Sequence, residues 1–134
     1  GHKMYSSYDV GKQLDRSKGY LDVNNFDYGP LFGTTFPMNK ADRIATFDSG
    51  STHAMTLTAV DLDSQGKALK WEVENSWGAD NGHKGYLIMS NNWFNDFFFR
   101  LVVDKQYVSA DILKMAAQAP IMLSYDDPVF ADDL

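Results

Sequence analysis

The chain has 134 residues, 44% of them hydrophobic and 14% aromatic, a net charge of −6 and no cysteine. That size and composition suit one globular domain with a real core, and no apolar run approaches the roughly 20 residues that span a bilayer. The acidity argues against binding to nucleic-acid backbone, and the lack of cysteine excludes a disulfide framework, a thiolate metal site and a thiol nucleophile within this chain.

In chain order, "GHKMYSSYDV" has no apolar h-region of a secretory leader, so a cytoplasmic location is expected, and Met4 to Tyr8 reads as a short strand. The next stretch, "DRSKGYLDVNNFDYGPLFGTTFPMN", is punctuated by turn formers. "NKADRIATF" reads as a short helix with Asn39 as its N-cap and Asp42 in its first turn. From His53 the pattern changes: "HAMTLTAVDLD" alternates and is rich in Thr, Val and Leu, as a strand requires. After the turn "SQG", "ALKWEVEN" places Leu69, Trp71 and Val73 on one face and Lys70, Glu72 and Glu74 on the other, the pattern of a half-solvated antiparallel strand. "GADNGHKG" is a turn, "YLIMS" a third strand, "NNWFNDF" a helical turn and "FFFRLVVD" a fourth strand. "SADILKMAAQAP" reads as a helix capped by Ser109 and ended by Pro120, and the acidic tail beyond it has no clear period. Four or five strands in series with tight turns predict an α+β fold. Its centre is an antiparallel sheet or partly closed barrel with short flanking helices, one domain over residues 1–134.

Chemistry concentrates at the mouth of one strand and the end of the next. His53 can hold or release a proton near neutrality, and the side-chain oxygen of Asn75 can fix its tautomer, leaving the second ring nitrogen for a nucleophile. The two lie 22 positions apart, too far for contact within one element but suited to neighbouring antiparallel strands, which brings both to one sheet edge. On spacing alone, a structural pair is the commoner outcome. His2 and His83 read as turn or solvent-facing residues, and no i, i+4 histidine spacing signals a metal site.

The local sequence goes further. "ENSWG" after an alternating strand, "THAM" upstream and "GHKGYL" downstream resemble the papain-like cysteine peptidases, more narrowly the C-terminal portion of the bleomycin hydrolase or aminopeptidase C branch. The likeness runs from "YDVGKQLDRSKGYLDVNNFDY" to "VVDKQYV" and the terminal "LSYDDP", nearly the whole chain. It implies the β-rich half of a papain-like fold, in a cysteine aminopeptidase that needs no cofactor. His53 would partner a cysteine thiolate, Asn75 would orient the imidazole, and Trp77 would shield their bond from water. The cysteine would belong to an upstream helical half missing here, so this chain alone should be inactive. Tyr8 stands where many relatives carry a second, non-catalytic cysteine. The resemblance further implies a homohexamer and a C-terminal tail that enters the cleft, where the carboxylate of Leu134 would meet the substrate's α-amino group. "FADDL" keeps the acidity of that tail but not its usual ending. The rival reading is a non-catalytic binding or scaffold module that retains the His–Asn pair; nucleic-acid binding ranks below both.

Overall fold

The computed structural model describes residues 2–133. Seven strands form one sheet: β1 (Met4–Tyr8), β2 (Leu14–Asp15), β3 (Tyr20–Leu21), β4 (His53–Leu62), β5 (Ala68–Glu74), β6 (Tyr86–Ser90) and β7 (Phe98–Val102). Their spatial order is β2-β3-β6-β5-β4-β1-β7, so the sheet has two edges and is open. Every neighbouring pair is antiparallel except β3 and β6, which run parallel. Four short helices flank the sheet: α1 (Tyr28–Phe32), α2 (Lys40–Ala45), α3 (Asn91–Phe97) and α4 (Ala110–Ala116). Among the described residues no helix is long and apolar enough to cross a membrane.

The α+β class and the long strands follow the sequence pattern. β2, β3 and α1 do not, because two-residue strands are too short to show a period and α1 buries no residue that would mark a face. α2 starts as its cap dictates, with the Asn39 side chain accepting from the Asp42 N–H. Ser109 caps α4 in the same way, but that helix stops at Ala116, short of the Pro120 expected to end it. A proline disfavours helical backbone in the residue before it, so the helix breaks upstream of the ring.

The core lies on the face of the sheet that carries α3. Tyr8, Leu21, Met55, Leu57, Val73, Leu87 and Met89 are buried there against Trp93 and Phe97 of that helix. Burial grows along β5: Leu69, expected on the apolar face, is 47% exposed, whereas Val73 is fully covered. Trp71 stacks on Phe94, which stacks on Phe98, with centroids 4.4 and 4.7 Å apart. Trp93 buries its whole side chain and still donates its indole N–H to the Lys12 carbonyl at 2.8 Å, a bond that ties α3 to the turn after β1. Trp93→Ala is expected to cost about 3–5 kcal/mol, read from the denaturant midpoint.

Tyr8 is buried on β1, its hydroxyl donating to Ser6 Oγ at 2.8 Å while that hydroxyl donates to the Met55 carbonyl at 3.1 Å. Burial disfavours the phenolate and lifts the Tyr8 pKa from 10.0 to about 12, the Ser6 hydrogen bond opposing the shift. A raised folded-state pKa means that the folded chain holds the proton longer than the unfolded one. The stabilisation is therefore complete below about pH 10 and is lost as the pH climbs towards about 12, on the order of 2–3 kcal/mol in all. In Tyr8→Phe, unfolding free energy plotted against pH should fall less steeply across that window.

Candidate active site

β1, β4 and β5 bring His53 to its place. The Thr52 N–H donates to the Tyr8 carbonyl at 3.0 Å and the Thr52 hydroxyl accepts from the Val10 N–H at 3.1 Å, so the chain enters β4 clamped to the end of β1. Tyr8 then pairs with His53 itself. Across the sheet, Leu57 faces Val73 and Thr56 faces Glu74, and one further step of that register sets residue 75 opposite residue 55. His53 and Asn75 thus share a face as diagonal neighbours, within reach of each other's side chains.

They meet. His53 Nε2 lies 2.8 Å from Asn75 Oδ1. The same oxygen accepts the Ser76 backbone N–H at 2.8 Å, which fixes the orientation of the amide, since a flip would set NH₂ against N–H. An oxygen can only accept, so Nε2 must carry a proton and neutral His53 keeps its lone pair on Nδ1. Among the described residues Nδ1 has no hydrogen-bond partner. Asn75 Nδ2 is buried without one as well.

The loop after β5 builds the lid over this pair. Its entry is held by the Asn75 N–H donating to the Gly85 carbonyl at 2.9 Å, and Asn81 Nδ2 donates to the Trp77 carbonyl at 2.7 Å. Gly82 sits at φ +61°, and a Cβ there would lie 2.3 Å from the Tyr86 carbonyl oxygen, so only glycine fits. The Trp77 ring stacks on the His53 imidazole, centroids 5.2 Å apart and planes 28° from parallel. The Arg16 guanidinium also lies over the Trp77 ring, its Cζ 4.7 Å from the centroid.

His53, Asn75 and Trp77 therefore converge where the interior strands β4 and β5 begin and end, while Leu134 lies outside the described residues. His83 is exposed in the loop before β6, and His2 stacks near Tyr107 far along the chain. Two contributors escaped the sequence reading. The Ser76 N–H gave no signal because any residue supplies one, and Arg16 gave none because it arrives from a turn distant in sequence.

A 470 Å³ hollow opens beside Asn75, lined by Lys3, Tyr5, Ala54, Thr56 and Glu74. By strand alternation, Ala54, Thr56 and Glu74 point away from the face that carries His53, so the hollow and Trp77 flank the pair from opposite sides. A larger cleft of 610 Å³, among Phe26, Tyr28, Phe36, Met38 and Arg43, touches neither His53 nor Asn75.

Residues 1–130 match the model of the Peptidase C1-like family. The chain is 44% identical to bleomycin hydrolase of Rattus norvegicus over 134 residues, covering 98% of this chain and 30% of that protein. It is 38% identical to aminopeptidase C of Streptococcus thermophilus over 129 residues, 96% of this chain and 29% of the relative. The crystal structure of pepw from Lactobacillus rhamnosis superposes with a TM-score of 0.87 at 43% identity, over 96% of this chain and 29% of that one. The chain thus spans about 30% of the length of the curated relatives it matches.

The hydrogen bonding around Asn75 makes one spectroscopic demand. Nitrogen-15 NMR of the neutral His53 ring should find Nε2 protonated and Nδ1 unprotonated, and Asn75→Ala should let the two tautomers mix. A dominant Nδ1–H form in the unaltered chain would contradict the assignment.

Proposed function

Because the chain belongs to the Peptidase C1-like family, we propose that it is the His- and Asn-bearing part of a cysteine aminopeptidase that removes N-terminal residues from peptides. The observation that carries this reading is the bond from His53 Nε2 to Asn75 Oδ1, which leaves Nδ1 as a base at the start of β4. The chain has no cysteine, so the thiol comes from another part of the same protein.

In this mechanism Nδ1 takes the thiol proton, and the thiolate–imidazolium pair is favoured by mutual attraction. The thiolate attacks the scissile carbonyl carbon. As the C–N bond breaks, the imidazolium returns its proton to the departing amine, leaving a thioester on the enzyme. His53 then removes a proton from water as the water attacks the thioester, and the thiol is restored. Asn75 holds the ring in register throughout, and the Trp77 indole keeps water from one face of the imidazole, which strengthens the His–Asn bond.

The purified 134-residue chain is expected to show no turnover of peptides or aminoacyl arylamides, since it has no cysteine and among the described residues no hydroxyl is paired with Nδ1 of His53. In the complete protein carrying this chain, His53→Ala should lower kcat/KM by about 10³-fold or more, because both the base and the acid vanish. Asn75→Ala should cost about 10- to 100-fold, the equivalent of one hydrogen bond to a charged group of ~1.5–3 kcal/mol. Equal losses would mean that Asn75 does more than orient the ring. Peptide turnover by the complete protein that survives thiol-blocking reagents would refute the cysteine mechanism.

A further inference from the structure

Arg16 occupies the turn between β2 and β3, where an acidic neighbour ought to neutralise it. Asp15 is spent elsewhere. Its Oδ1 accepts from the Ser17 N–H, the Ser17 hydroxyl and the Lys18 N–H, and its Oδ2 pairs with Lys18 Nζ at 3.0 Å. Those bonds hold the Asp15 carboxyl ionised, its pKa lowered to about 2. Among the described residues Arg16 makes neither a hydrogen bond nor an ion pair; its one contact is the face of Trp77. Arg16 is exposed, so its unspent N–H donors, which can grip a carboxylate in a bidentate pair, remain open to a ligand beside the indole.

The placement is rigid. A Cβ on Gly19 would come within 2.5 Å of Gly82 Cα, so the β2–β3 turn is pressed against the loop that carries Trp77. The Ile88 N–H, donating to the Gly19 carbonyl at 2.9 Å, locks the same junction to β6. His53 and Arg16 both lie against the Trp77 ring, which sets an exposed cation beside the imidazole. In the proposed mechanism the departing amine takes its proton from His53. That amine must come within hydrogen-bond reach of the His53 ring, whose centroid lies 5.2 Å from that of Trp77, so the departing peptide starts beside the indole that Arg16 covers.

Resting on that peptidase reading, we propose that Arg16 on Trp77 forms a carboxylate subsite for the leaving portion of the substrate. It would select peptides that carry an acidic side chain, or a free α-carboxylate, just beyond the residue released. The net charge of −6 works against any anion at long range, so the selectivity has to be a short-range contact.

The test sets short peptides in competition before the complete protein. Ala-Glu-Gly amide is run against Ala-Gln-Gly amide, and Ala-Gly acid against its amide, with kcat/KM ratios read by mass spectrometry. At least one charged member should be favoured about fivefold at low ionic strength, the ratio a unit-charge contact of ~4 Å gives in water. The pair that responds identifies the side chain or the terminus as the source. The ratio should drop towards one in ~1 M salt, where the screening length is about 3 Å. Arg16→Gln should bring it to one, Arg16→Glu below one, and Arg16→Lys should keep part of it. Ratios near one in the unaltered protein, or a preference that survives Arg16→Gln, overturn the subsite. If no peptide is cleaved, the peptidase reading has failed instead, and binding decides the subsite. Ala-Glu-Gly amide must then shift the Trp77 indole N–H resonance in the unaltered protein and not in Arg16→Gln, and no shift overturns it.

Discussion

The register between β4 and β5 is the constraint on which the site depends. Leu57 against Val73 and Thr56 against Glu74 place His53 and Asn75 on one face and at the same end of two neighbouring strands. A slip of one residue would send every side chain of a strand to the opposite face and separate the pair. Two features pin the register. Met55, Leu57 and Val73 are buried and would be exposed by a slip, and the Thr58 hydroxyl spans to the Glu72 carbonyl at 3.1 Å beside a strand irregularity between Leu57 and Ala59. Core packing and site geometry are thus one requirement, met by alternate residues of the same strands.

The second layer of support comes from backbone contacts that glycines permit. The loop from Ser76 to Gly85 bends back so that the Gly85 carbonyl can hold Asn75, and Gly19 lets its turn lie directly on Gly82 of that loop. A side chain at Gly19 would push the turn off the loop, and one at Gly82 would run into the Tyr86 carbonyl. Mobility at this edge is restrained by a few close approaches, while much of the apolar exposure lies elsewhere. Leu31, Phe32 and Phe36 in the first third, and Ile121, Met122 and Tyr125 near the end, are largely uncovered. The seven-stranded core holds without them, since its buried members come from β1, β3 to β6 and α3 together with Val10.

Charge is distributed so that the site stays uncluttered. Asp15 is engaged by Ser17 and Lys18, Asp48 by Lys12, and Glu74 by Lys3 at 2.5 Å. In an acidic chain these pairings keep carboxylates occupied around the strand ends, and the single cation against Trp77 is left without a partner among the described residues. Such exposed pairs add little to stability. Their consequence here is local: they determine which charges remain available at the His53 edge.

The sequence by itself determined what local patterns encode. Alternation announced β4, β5 and β6, and Asn39 and Ser109 announced their helix starts. The run from His53 to Asn75, with the "NSWG" turn, marked two side chains and an indole that meet. These are short-range signals, carried by periods of two residues, by caps and by a motif. Only the tertiary structure decided the rest: the parallel β3–β6 pair, the fixing of the Asn75 amide by the Ser76 N–H, and the seating of Arg16 on Trp77. Each depends on segments brought together by the closed core or on a backbone group that every residue possesses. Neither leaves a mark in residue type or spacing from which it could have been read.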